Sequence, residues 1–156
     1  METYKNEQLL IATRNKGKFE EFKRIFEKTS IVLVNLDETG VEMDVDECGE
    51  TFVENALLKA DGYMVATGYL TLADDSGLEV DILDGAPGVR SARYAGIDAS
   101  DEDRVNKLLF ELKDVPEELR RARYRAVLAL ASPTSPNEKP VTAEGIVEGR
   151  IALTPD

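Results

Sequence analysis

The sequence predicts an α/β domain. Short apolar runs at residues 9–12, 31–36 and 69–73 have the length and composition of buried strands, and helical patterns separate them. Strands alternating with helices build a sheet covered by helices rather than a bundle or a sandwich. With 156 residues, 42% hydrophobic and 32% charged, the chain is long enough for one domain with a real core and has the balance of a soluble globular protein.

Each element follows from a local signal. Leu9-Leu10-Ile11-Ala12 leads into a polar, cationic turn, Thr13-Arg14-Asn15-Lys16-Gly17-Lys18. A helix comes next, with Phe19, Phe22, Ile25 and Phe26 on one face. After the strand at 31–36, residues 37–50 form an acidic loop that holds Asp37, Glu38, Glu42, Asp44, Asp46, Glu47 and Glu50. Thr51-x-x-Glu54 has the form of a capping box, in which each side chain serves the other's backbone N–H. It opens a helix to about residue 67, with Val53, Leu57, Ala60 and Met64 inward. The strand at 69–73 ends at Asp74-Asp75, and Leu78, Val80 and Ile82 alternate with acids as in a half-exposed strand. Gly85-Ala86-Pro87-Gly88 is a turn. Ser100 caps a helix carrying Val105, Leu108, Leu109 and Leu112. Residues 124–131 are a further strand, 132–140 with three prolines a loop, and 146–153 a final strand.

Composition narrows the function. The net charge of −12 repels nucleic acid polymers over most of the surface. The longest apolar runs, such as 126–131, are too short to span a bilayer, and residues 1–5 lack a signal-peptide pattern. One cysteine, Cys48, cannot form an internal disulfide and is in keeping with a reducing cytoplasm. Without histidine, acid–base chemistry must come from carboxylates, lysines, tyrosines or metal-bound water.

Two segments can carry that chemistry. The Thr13–Lys18 turn lacks Walker A spacing, yet a strand-to-helix turn offers backbone N–H groups and the positive end of a helix dipole to an anion. Thr13 and Asn15 can donate hydrogen bonds and Lys18 is a mobile point charge, although Thr and Asn also serve as ordinary turn and cap residues. Ala73-Asp74-Asp75-Ser76-Gly77 sets adjacent carboxylates at a strand's end, where ligands of α/β sheets bind. The alternative is an exposed Asx turn before Gly77. Glu47, Glu50 and Glu54 are candidate magnesium ligands, with capping the competing role for Glu54 and plain solvation for Glu50. For Lys59 the plain role is a polar contact with Asn55. The cluster Arg120, Arg121, Arg123 and Arg125 reads as the outer face of a strand or an interface patch. Asp44-x-Asp46-x-Cys48-Gly49 starts like an EF-hand loop but puts Asn55 where the bidentate Glu belongs, which rules that reading out.

These segments together resemble the inosine triphosphate pyrophosphatases, a Ham1-like family of noncanonical purine nucleoside triphosphatases. Thr13-x-Asn15-x-x-Lys18 is similar to its phosphate loop. Glu50-Thr51-Phe52-x-Glu54-Asn55-Ala56-x-x-Lys59-Ala60 is similar to its second signature. Ala73-Asp74-Asp75-Ser76-Gly77-Leu78, followed by Gly85-Ala86-Pro87-Gly88-x-x-Ser91-Ala92-Arg93-Tyr94, is similar to its most specific block, with Arg90 where many relatives carry tyrosine. The resemblance implies a mixed α/β fold with an elongated central sheet, usually a homodimer. It implies magnesium-dependent hydrolysis of ITP, dITP and XTP to the monophosphate and pyrophosphate. Carried over, Thr13, Arg14, Asn15, Lys16, Gly17 and Lys18 would hold the phosphates, and Lys59 and Ser76 would contact substrate. Asp75 would hold magnesium and accept the proton of the attacking water, with Glu47, twelve residues before Lys59, as the other ligand. Family members continue with a G-F-G-Y-D-P motif, a lysine and a Ser-His-Arg motif that recognise the base. The expectation is therefore a single domain, 1–156, truncated at its C-terminus. The alternative expectation is a catalytically weak or inactive phosphate-binding fragment.

Overall fold

The computed structural model describes residues 8–135 and 137–155, so residues 1–5, Pro136 of the proline-bearing loop and Asp156 lie outside the described residues in whole. β1 (Gln8–Ile11) runs parallel to β2 (Val32–Asn35) on one side and to β3 (Leu70–Val80) on the other, with Leu9 opposite both Leu33 and Leu70. β4 (Arg121–Ala131) and β5 (Val141–Arg150) complete a five-stranded sheet of order β2-β1-β3-β4-β5. This mixed sheet with flanking helices is the predicted class.

The winding direction reverses at β1. The chain leaves β1 through α1 (Lys16–Phe26) to β2, then returns through α2 (Leu36–Thr39) and α3 (Phe52–Thr67) to β3 on the far side of β1. Right-handed crossovers put α1 and α3 on opposite faces of the sheet and open a crevice at the carboxyl end of β1. Pairing of β1 with β3 ends at Leu72, whose carbonyl accepts from Ala12 N at 2.8 Å, and β3 continues beyond the end of β1.

The chain divides into two units. The first comprises residues before Ser76 together with Val127–Ala143, and the second Ser76–Ala126 together with residues from Glu144. In the first, Leu9, Ile11, Phe22 and Leu72 form a core that Phe19, Phe26 and Leu33 extend. Ile25, expected inward, is 69% exposed because it falls beyond the edge of the stripe made by Phe19, Phe22 and Phe26. On α3 the capping box is present: Glu54 N donates to Thr51 Oγ1 at 3.2 Å and the Glu54 carboxylate accepts from Thr51 N. The inward residues are Phe52, Asn55, Ala56, Ala60, Tyr63 and Met64, while Val53 is exposed and Leu57 half-buried. Apolar residues surround α3, so its periodicity does not select a face, and the buried one includes an asparagine.

The strand at 31–36 ends one residue early. Asn35 caps α2 with a capping box to Glu38, which turns Leu36 into the core rather than along the sheet. The larger correction concerns β3, which is continuous from Leu70 to Val80 and passes through Asp74-Asp75-Ser76-Gly77 without a turn. Gly77 is there for close approach. A Cβ on it would lie 2.5 Å from Ser91 Oγ and 2.6 Å from Gly88 O. Ser91 Oγ donates to Gly88 O at 2.6 Å and accepts from Leu78 N at 2.9 Å, lashing the short 3-10 helix Gly88–Arg93 to β3. β3 stops at Val80, so Ile82 lies in a single 3-10 turn and is half exposed.

In the second unit Val80, Leu108, Leu112 and Ala122 form the core beside α4 (Asp101–Glu111), capped by Ser100 as predicted, with Val105 exposed. Arg120 departs from the outer-face expectation. It is 3% exposed, and its guanidinium donates to the carbonyls of Leu112, Val115 and Ala152 at 2.7, 2.9 and 3.2 Å. Arg123 and Arg125 do face outward and pair with Glu79, Glu144 and Glu148. β5 begins at Val141, earlier than predicted, and ends before Ile151. It is exposed along its whole length, so it has no buried face whose alternation could mark its limits.

Candidate active site

The carboxyl end of β1 gathers residues from four segments of the first unit. The first is the turn into α1. Thr13 Oγ1 accepts from Asn15 N at 3.1 Å, and Asn15 Oδ1 accepts from Lys18 N at 3.1 Å, so both also fill the ordinary cap roles. The first intrahelical bond runs from Phe19 N to Asn15 O. The amides of Lys16 and Gly17 therefore precede the helical ladder, where an anion is favoured. Lys16 is exposed.

The second segment is the middle of β3. Successive side chains of a strand point to opposite faces, so Asp74 shares the α1 face with Leu72, and Asp75 takes the α3 face. Asp74 Oδ2 accepts from Lys18 Nζ at 2.6 Å. Asp75 is 7% exposed and is hydrogen-bonded by the Asn55 side chain of α3. Burial pushes its carboxyl up from an ordinary 3.8 to about 6. Asn55, Lys59 and Lys18 pull the other way, and the negative charge of Glu47 adds to the rise.

The third segment is α3. Lys59 projects from it and pairs with Glu47 at 3.5 Å, its side chain only 12% exposed. The expected Lys59–Asn55 contact gives way to this pair. Asn55 instead accepts from Gly49 N at 2.8 Å and serves Asp75. The fourth segment is the acidic loop, which supplies Glu47. Glu54 is committed to its cap and also accepts from Glu50 N at 2.7 Å, in agreement with the capping role. Glu50 and Cys48 are exposed.

The result is an alternation of charge, Asp74–Lys18 and Glu47–Lys59, with Asp75 influenced by both lysines. A cavity of about 370 Å³ adjoins it, lined by Thr13, Arg14, Glu47, Lys59 and Tyr63 among others. A larger cavity of about 970 Å³ lies on the outer side of α3, but its charged lining is Asp44, Asp46, Glu54 and Asp61, which repels an anion. Among the described residues no three carboxylates, cysteines or histidines cluster tightly enough to hold a metal by themselves. Ser76 belongs to the second unit, where its hydroxyl lies 3.0 Å from Tyr124 Oη.

Sequence reasoning placed Asn55 in a signature and beside Lys59 but not against Asp75, and it did not single out Tyr63. The available signal was a polar residue on the buried stripe of a helix, but that stripe could be placed only after the fold was known.

A parallel α/β core with a helix N-terminus, two lysines and buried aspartates at its switch point defines a phosphate-handling protein. A sequence profile of the Ham1 family matches residues 9–156, and the chain belongs to that family. It is 45% identical over 148 residues to a dITP/XTP pyrophosphatase of Bacillus subtilis, a match covering 95% of this chain and 73% of that protein. A Staphylococcus epidermidis dITP/XTP pyrophosphatase is 45% identical over 93% of this chain and 71% of its own length. Among solved structures, a HAM1 protein from Coxiella burnetii superposes with a TM-score of 0.86 at 37% identity, covering 96% of this chain and 75% of that one. The Staphylococcus aureus Ham1 protein does so with a TM-score of 0.82 at 39% identity, covering 94% and 73%.

Proposed function

We propose that the protein is a hydrolase of the nucleotide pool that cleaves ITP, dITP and XTP between the α and β phosphates, releasing the monophosphate and pyrophosphate. The observation that carries this reading is the interleaving of Lys18 and Lys59 with Asp74, Asp75 and Glu47 beside the first turn of α1. The dITP/XTP pyrophosphatases at 45% identity supply the substrate class.

In this reading Thr13, Asn15, Lys16, Gly17 and Lys18 hold the phosphates through the first-turn amides, hydroxyl, amide and ammonium groups. Lys59 offsets charge on the triphosphate as it builds in the transition state. Asp75 orients the attacking water and accepts its proton. In the protein alone, burial makes this carboxylate more basic than an ordinary one, with its carboxyl raised to about 6. Asn55 fixes the orientation of Asp75.

The donor set fits magnesium. It consists of hard carboxylate oxygens, and magnesium is commonly held by one or two carboxylates, with phosphates and water completing the shell. Asp75 and Glu47 are the residues that would hold it. When bound, it supplies charge neutralisation of the phosphates and a more acidic water. The same reading makes the protein a cytoplasmic homodimer with no nucleic acid polymer as partner, in keeping with a net charge of −12. Among the described residues no helix is long and apolar enough to cross a membrane.

Pyrophosphate release with magnesium, compared between ITP and ATP, tests the assignment. Release that favours ITP is expected, and Asp75→Asn should lower it by roughly 10² to 10⁴. Undiminished turnover in that variant overturns the role of Asp75. Triphosphate binding without turnover or base preference would point instead to a phosphate-binding protein.

A further inference from the structure

Arg14 sits within the phosphate turn, yet its guanidinium is turned toward the acidic loop. It makes four hydrogen bonds there. Nε donates to Asp44 Oδ1 at 2.7 Å, Nη1 to Asp37 Oδ1 at 3.4 Å, and Nη2 to the carbonyls of Val41 and Met43 at 2.9 and 3.1 Å. A guanidinium has five N–H donors in one rigid plane. Used this way, little of the fork is left for a phosphate.

The segment that Arg14 grips needs such a grip. Residues 41–49 contain neither helix nor strand, so no backbone ladder fixes them. Besides the Glu47–Lys59 pair, a contact at each end holds them. Near the start, Arg14 holds residues 41–44, while Tyr63 Oη accepts from Val45 N and Val45 packs on Gly62, where a Cβ would come within 2.7 Å of it. At the far end Gly49 N donates to Asn55 Oδ1 at 2.8 Å. Glu47 lies between the two anchors, and each anchor belongs to the site: Arg14 adjoins Thr13, and Asn55 bonds Asp75.

We propose that Arg14 is a positioning residue that clamps residues 41–45 and so aims Glu47 at the Lys59–Asp75 group, rather than a ligand of the phosphates. The inference rests on the proposed role of Glu47 as a metal ligand. Residues that orient metal ligands typically cost 10-fold to 100-fold in metal affinity when removed. Lysine cannot substitute, because one ammonium cannot bridge a carboxylate and two carbonyls in a plane.

The test compares Arg14→Ala, Arg14→Lys, Asp44→Ala and Glu47→Gln. Amide hydrogen exchange of residues 45–49 is read on the metal-free proteins, and pyrophosphate release is titrated with magnesium and with ITP. The clamp predicts faster exchange at 45–49 in all three Arg14 and Asp44 variants. It also predicts a magnesium half-saturation raised about 10-fold or more, with the KM for ITP at saturating magnesium unchanged. Asp44 lies across the clamp from the phosphate turn, so its agreement with Arg14→Ala is the distinguishing result. If Arg14→Ala raises the KM for ITP while Asp44→Ala and Arg14→Lys behave as wild type, Arg14 binds phosphate and the proposal is wrong. Unchanged exchange at 45–49 also overturns it. A Glu47→Gln protein with unaltered magnesium half-saturation sinks the metal reading separately, whatever the Arg14 variants do.

Discussion

Asp75 is a carboxylate buried at a cost to the fold. Its carboxyl is raised from 3.8 to about 6 in the folded chain. Between those values the folded state binds more protons than the unfolded one, so this group's contribution to stability is full below about 4 and declines until the pH passes about 6. Asp75→Asn removes the titration. In the absence of metal its melting temperature should therefore exceed that of the wild type at pH 7.5 and converge toward it near pH 4. Thermal melts of both proteins across that range check this, and equal melting temperatures at pH 7.5 would contradict it. Magnesium should raise the melting temperature of the wild type more than that of the variant, because the variant keeps Glu47 but lacks the Asp75 charge that binding relieves. The residue types of this candidate site were legible in the sequence, since Lys18, Lys59 and Asp75 stand in motifs and the resemblance places Glu47 twelve residues before Lys59. The partners were not: Lys18 with Asp74 and Lys59 with Glu47 are separated by 56 and 12 positions, and no local period links them.

The elements followed their local signals where those signals were chemical. The box at Thr51 and the cap at Ser100 open α3 and α4 where the sequence placed them, and the structure adds Asp103 as the partner of Ser100 in a second box. They failed where one signal had two meanings. Asp-Asp-Ser-Gly is turn-rich in composition, yet β3 passes straight through it because Ser91 and Gly88 cover Gly77 and Lys18 offsets Asp74. The strand end that matters belongs to β1, not β3. Gly77→Ala should lower unfolding free energy by about 1 to 3 kcal/mol, since the new methyl meets the Gly88 carbonyl and not just a movable side chain. Urea denaturation measures it. A loss under a few tenths of a kcal/mol would mean the 88–91 segment can move aside.

At the scale of the whole molecule, charge and buried polar bonds matter more than any motif. In a chain of −12 an anion is favoured where cations offset the acids, and in the candidate site Lys16, Lys18 and Lys59 stand against Asp74, Asp75 and Glu47. In the second unit Arg120 ties the carbonyls after α4 to that of Ala152. Arg120→Ala should strand these buried acceptors and cost about 3 kcal/mol. Chemical denaturation of the full chain checks the figure, and a neutral result would mean water replaces the guanidinium.

The sequence by itself determined the fold class, the caps of α3 and α4, the family and the residue types of the candidate site. Those depend on short-range periodicity, caps and fixed spacings, which a linear chain carries in full. Only the tertiary structure decided that β3 is unbroken, that Arg120 is buried, that Asn55 serves Asp75 and that Arg14 faces the acidic loop. Each of these depends on which neighbour removes water from a polar group, and that neighbour is set by the crossing of strands and helices, not by adjacency in the chain.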